Sequence, residues 1–146
     1  QGAGSHPAGD AQLHHQLAQD CEILGRFELC HLLLMRDANY PWCILVPDRA
    51  DVTEIYQLSP EDQQQLMRES SLLACAMAKA FSADKMNVAA LGNVVPQLHI
   101  HHIARRRDDP AWPAPVWGKV PALPYSEAGL RETVDRLRAA LGDLLR

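Results

Sequence analysis

The sequence has no run near the ~18 consecutive apolar residues that a membrane-crossing helix needs, so it offers no membrane span. It also lacks an excess of positive charge: 14 basic side chains stand against 18 acidic ones, a formal net charge of -4. Bulk nucleic-acid binding requires a surface that neutralises many phosphates, and this balance argues against it. Cysteine is sparse, with Cys21, Cys30, Cys43 and Cys75 in no C-x-x-C spacing. No secretory leader pattern precedes them, so they read as free, buried small hydrophobes rather than as two disulfides. No glycine-rich phosphate loop of the P-loop or dinucleotide type occurs, nor any internal repeat or low-complexity tract. A cytoplasmic location follows by default.

What is present is an ordinary globular composition, 47% apolar and 22% charged over 146 residues. That length favours one domain, with roughly two-thirds of the chain's surface buried on folding. Residues 1–20 are expected to form a flexible or partly helical N-terminal segment, and residues 21–146 the domain. Three apolar runs, 23–27, 31–35 and 42–46, have strand character. Asp37, Asn39 and Pro41 supply turn chemistry between the last two, which predicts an antiparallel hairpin.

A long helix is announced by Ser59 as N-cap, Pro60 at the first helical position and Asp62 three residues after the cap. Leu66, Ser70, Leu73, Met77 and Phe81 then recur at helical spacing and mark one buried face. A strand over 86–91, a turn at Gly92-Asn93 and a second strand over 94–104 predict another antiparallel pair. Residues 110–125 are rich in proline and tryptophan and form a loop, in which Trp112 and Trp117 either cover a site or pack against the last helix. That helix occupies 126–146, with Leu130, Val134, Leu137, Leu141 and Leu144 as its stripe. The fold class is α+β, a mainly antiparallel sheet of about five strands with one long helix and a C-terminal helix.

Three of the seven histidines fall in Gln97-Leu98-His99-Ile100-His101-His102-Ile103. Side chains alternate along a strand, so His99 and His101 share a face, roughly 7 Å apart at Cα, and Leu98 and Ile100 point into the core. His102 breaks the pattern, which implies a bulge or a place under the sheet edge. Such a pair admits three readings: satisfied structural histidines, metal ligands completed by a third group such as Cys43 or Asp37, or catalysis by a neutral imidazole at a phosphate or acyl centre. Catalysis is favoured, since two adjacent imidazoles on a rigid strand suit a site better than a core. His6, His14, His15 and His31 are read as surface or structural residues.

The segment from Gly92 to Arg105 resembles the histidine triad (HIT) family of nucleotide hydrolases and transferases, whose motif alternates three histidines with apolar residues. The order of elements over residues 21–110 is also similar. In the register that fits best, Gln97 stands at the first histidine, His99 at the nucleophile and His101 at the histidine that bonds the reacting phosphate. The resemblance implies a HIT-like fold and a nucleotidyl-histidine intermediate at the α-phosphorus of a nucleoside phosphoester, phosphoramidate or dinucleoside polyphosphate. It also implies that the Gln97 carbonyl orients His99, and that neither metal nor cofactor is needed.

Asp37, Asn39, Asn87 and Arg105 become candidate nucleotide contacts, and a homodimer through the long helix and an edge strand is expected. The rate should then follow the titration of His99 and His101 near the ordinary histidine pKa of about 6.5. Gln97, Cys43 (taken as the position of a further family histidine) and Val94 depart from the family pattern, which lowers the expected rate. A nucleotide-binding module of little activity and a histidine-ligated metal protein stay open as alternatives.

Overall fold

The computed structural model describes residues 12–146; what the sequence suggests for residues 1–11 lies outside the described residues. The elements are α1 (His15–Asp20), β1 (Cys21–Arg26), β2 (Cys30–Met35), β3 (Trp42–Pro47), a 3-10 turn (Ile55–Gln57), α2 (Pro60–Ala80), β4 (Lys85–Ala89), β5 (Ile100–Arg105), α3 (Glu127–Leu141) and a 3-10 turn (Gly142–Leu144). The strands form one antiparallel sheet in the order β1-β2-β3-β5-β4. The expected β2–β3 hairpin forms, with Leu33 opposite Ile44.

Alternation along the strands divides the core into two layers. On one face Leu32, Leu34, Cys43, Leu45 and Ile100 pack with Leu66, Leu73 and Met77 of α2 and Leu137 and Leu141 of α3. On the other, Leu33, Trp42, Ile44, Val46 and Ile103 are covered by Leu17 of α1 and by Ala111 and Val116 of the proline-rich loop. Ser59 caps α2 by accepting from the Asp62 backbone N–H at 3.1 Å, and Ser126 caps α3 by accepting from Gly129 at 3.0 Å. Glu69, also on the inner side of α2, is buried and accepts from the backbone N–H groups of Leu29 and Cys30 at 2.8 and 2.9 Å. It thereby ties the β1–β2 turn to the helix, a role that hydrophobic periodicity could not reveal.

The segment expected as a strand over 94–104 is ladder-paired only from Ile100 onward. Pro96 has no N–H to give a ladder, Gly92 turns the chain at φ +81°, and the Leu98 N–H donates to the Val52 carbonyl at 2.9 Å. The link between β4 and β5 is therefore ten residues, 90–99, and not a tight turn. At the C-terminus, the chain pairs with the free edge of β1 through reciprocal Arg26–Arg146 backbone bonds of 3.0 and 2.8 Å. Gly25 permits this approach, because a Cβ there would fall 2.5 Å from the Arg146 carbonyl oxygen. Among the described residues no strand pairs with the outer edge of β4.

Candidate functional site

His99 is the residue just before β5, and His101 lies within that strand. His99 Nδ1 is 2.7 Å from the Gln97 carbonyl oxygen. A carbonyl can only accept, so Nδ1 carries the proton and Nε2 keeps its lone pair. His101 has the opposite arrangement. Its Nδ1 accepts from the indole N–H of Trp42 at 3.0 Å, and indole can only donate, so the proton of neutral His101 is on Nε2. The two rings meet edge-on, 4.9 Å apart at 71°. Among the described residues Tyr40 Oη is the buried side-chain polar atom without a partner, so neither histidine's Nε2 is sealed from solvent.

His101 is boxed by aromatic rings. Trp117 lies edge-on at 5.1 Å and Trp42 at 5.7 Å, and the two indoles meet at 88°. Burial, with smaller contributions from His99 and His102, pushes the His101 pKa down to about 3. His101 thus holds no proton to lose near pH 6.5, and the expected shared titration of both histidines gives way to a site in which His101 stays neutral. Trp117 packs edge-on against His101 and Trp42.

His102 continues the alternation without a bulge, paired with Cys43 on β3 and Val88 on β4. It faces α2, where its Nε2 lies 2.7 Å from Ser70 Oγ and its Nδ1 3.0 Å from the Ile100 carbonyl. Burial brings its pKa down to about 4. It is a neutral structural clamp. Cys43 shares that inner face, and burial raises its thiol pKa. The residue of β3 that reaches the histidine pair is Trp42, one position earlier, and this corrects the assignment to Cys43. Among the described residues no three His, Cys, Asp or Glu side chains converge to hold a metal.

The other candidates do different work. Arg105 is 1% exposed and spends its guanidinium on Asp109 at 2.7 and 3.0 Å and on Asn87 Oδ1 at 2.8 Å, stacked beside Tyr40 and Trp112. Expected as phosphate or sugar contacts, Arg105 and Asn87 instead satisfy each other inside the protein. Asp109 also accepts from the backbone N–H groups of Arg106, Ala111 and Trp112, so this ion pair fastens the loop that delivers Trp117.

Asp37 Oδ1 accepts from Asn39 and from the Leu123 N–H at 3.2 Å, and the Asn39 amide donates to the Pro121 carbonyl at 2.9 Å. Both anchor the far end of the same loop and do not stand as an open pair of ribose ligands. The Gln97 side chain accepts from the His14 N–H at 2.7 Å and donates to the Gln12 carbonyl at 2.9 Å, which seats the start of α1. Only its backbone carbonyl serves His99.

A cleft of about 330 Å³ ends at His99 and is lined by Thr53, Tyr56, Gln63, Leu91, Gly92 and Pro96 among others; among the described residues no Lys or Arg lines it. That volume is in the range of small-molecule sites. His101 lies outside this lining, on the sheet side of His99.

Known proteins share this fold. The HIT domain family model matches residues 16–108. A histidine triad protein from Marinobacter aquaeolei VT8 is 52% identical with a TM-score of 0.89, over 93% of this chain and 99% of that one. Histidine triad proteins from Bradyrhizobium japonicum and Sinorhizobium meliloti 1021 are 44% and 45% identical, with TM-scores of 0.88 and 0.87, over 92% and 89% of this chain and 98% and 96% of theirs. A search of curated proteins finds no match. The chain belongs to the histidine triad (HIT) family, and with that membership goes, at the general level, nucleotide-binding hydrolase or transferase chemistry.

Proposed function

We propose that this protein hydrolyses or transfers nucleotidyl groups through His99. The observation that carries the reading is the 2.7 Å bond from His99 Nδ1–H to the Gln97 carbonyl, which leaves Nε2 as an unprotonated nucleophile on the solvent-reachable side of the ring. Nε2 attacks the α-phosphorus of a nucleoside phosphoester, phosphoramidate or dinucleoside polyphosphate. A P–N bond forms, the P–O or P–N bond to the leaving group breaks, and the leaving group takes a proton from solvent. Water then attacks the same phosphorus, the histidine–phosphorus bond breaks, and His99 and a mononucleotide are released.

During each displacement the imidazole ring of His99 gains positive charge, which the Gln97 carbonyl dipole offsets. His101 Nε2–H donates to an equatorial phosphate oxygen, where negative charge concentrates. Among the described residues no Lys or Arg lines the cleft, and that neutral donor and backbone N–H groups supply the electrostatic stabilisation. The Gln97 backbone carbonyl orients His99 without its side chain, which cannot gain or lose a proton near pH 7.

His99→Ala should abolish turnover of a nucleoside phosphoramidate and of a dinucleoside polyphosphate while the far-UV and near-UV CD spectra stay those of wild type. Wild-type turnover by this variant would refute the assignment. Nucleotide binding without turnover by the wild-type protein would make the chain a binding module.

The active unit is a homodimer. Among the described residues no strand pairs with the outer edge of β4, and Val88 of that strand, Leu91 and Val94 of the loop after it and Met67 and Leu72 of α2 are exposed; a second copy would cover an edge that otherwise invites aggregation. Light scattering at micromolar concentration should give twice the chain mass; a monomer would contradict it.

A further inference from the structure

We infer that Trp42 is a positioning residue: its indole N–H holds His101 as the neutral Nε2–H tautomer, so that the histidine can only donate to the reacting phosphate. The bland alternative is that Trp42 merely fills space on the covered face of the sheet. Three observations favour the positioning role. The first is the partner. Trp42 is buried, and a buried indole N–H needs an acceptor; β3 delivers it to an imidazole nitrogen at 3.0 Å. That donor fixes the lone pair on Nδ1, and so places the proton of neutral His101 on Nε2.

The second is that adjacent imidazoles, 4.9 Å apart, are held in opposite tautomers by opposite kinds of partner. A carbonyl acceptor on His99 Nδ1 leaves a lone pair on that ring's Nε2; an indole donor on His101 Nδ1 leaves an N–H on the other Nε2. The open atoms of the pair are therefore one nucleophile and one donor, which suits attack on a phosphorus with an anionic oxygen beside it. Were His101 in the tautomer of His99, its lone pair would face that oxygen and repel it.

The third is charge. Protonating His101 would set N–H against N–H across the Trp42 contact, which disfavours the imidazolium. Burial and the charges of His99 and His102, the titratable groups that bear on it, act in the same direction, while β3 and the loop present indole rings, Trp42 and Trp117, to its edges. His101 is then a neutral donor over the working pH range and contributes no limb to a pH–rate profile above about pH 4. The tautomer claim stands on geometry alone; its catalytic consequence rests on the proposed role of His99.

The test is ¹⁵N NMR of the imidazoles in the wild-type protein and in Trp42→Phe, joined to steady-state kinetics on a nucleoside phosphoramidate. Wild-type His101 should show a protonated Nε2 and a bare Nδ1, unchanged on acidification from about pH 8 to about pH 5. Trp42→Phe should mix the tautomers and raise the titration of His101. It should also lower kcat by roughly 10- to 100-fold, within the scale of one transition-state donor, with KM changed less than about threefold. A proton on Nδ1 of wild-type His101, or a titration near the ordinary histidine value, would overturn the inference even if the variant does not fold. So would a folded variant with wild-type tautomer and wild-type kinetics. If the wild-type protein turns over no nucleotide, the hydrolase reading fails separately, and the spectrum alone decides the tautomer.

Discussion

Ser70 of α2 and His102 of β5 share a hydrogen bond of 2.7 Å, and it fixes the helix to the back of the strand whose front carries the reacting pair. His102 Nδ1 is bound to the Ile100 carbonyl, so its Nε2 must accept, and Ser70 must donate. Ser70→Ala leaves that nitrogen buried without a donor, which costs about 1–3 kcal/mol. Urea denaturation should show the loss, while kcat changes little because the bond lies behind the sheet. Replacing both partners together, Ser70→Ala with His102→Leu, should recover part of the loss.

Acid should destabilise the protein through the same two buried histidines. Their folded pKa values, about 3 for His101 and about 4 for His102, lie below the ordinary histidine value of about 6.5. Between those limits the unfolded chain binds more protons than the folded one. Stability is therefore complete above about pH 6.5 and falls as the pH is lowered, with a slope of up to about 1.4 kcal/mol per pH unit for each histidine. The urea midpoint at about pH 7 and about pH 5 measures this; equal midpoints would contradict it.

Much of this was legible in the sequence, and the failures have physical causes. The cap at Ser59, the apolar spacing of α2 and the hairpin around Asp37 to Pro41 are local signals, and they placed α2, β2 and β3 correctly. The face shared by His99 and His101 followed from strand alternation. A one-residue shift in strand register exchanges the two faces, and motif spacing alone does not separate Trp42 from Cys43. Alternation from Ile44, opposite His101, selects Trp42. Arg105 looked like a phosphate ligand because its charge is local information, whereas its burial against Asp109 and Asn87 depends on where the proline-rich loop folds back. The same loop occupies Asp37 and Asn39, and no periodicity announced its path.

Asp109 is the test of that loop. It accepts from Arg105 and from three backbone N–H groups; burial pushes its carboxyl pKa up, and these hydrogen bonds together outweigh that and hold it below the usual range. Asp109→Ala leaves a buried guanidinium uncompensated and should cost about 3–5 kcal/mol. It should also release Trp117 from His101, seen as a red shift in tryptophan emission. An unshifted spectrum with unchanged stability would contradict the anchoring role.

Gln97→Ala separates side chain from backbone. The carbonyl that orients His99 remains, so kcat should stay within a few-fold of wild type. The contacts to Gln12 and His14 are lost, and amide exchange in α1 should quicken. A large fall in kcat with unchanged exchange would mean that the side chain itself acts on His99 or on the nucleotide.

A covalent intermediate on His99 is the most direct consequence of its free Nε2 lone pair. The wild-type protein should be mixed with excess nucleoside phosphoramidate, quenched within the first turnover, and read by intact mass followed by peptide sequencing in the mass spectrometer. The expected result is a mass increase of one nucleoside monophosphate residue, located on His99 and absent from His99→Ala. An adduct on His101 or on another residue, or steady turnover with no adduct at any quench time, would contradict it.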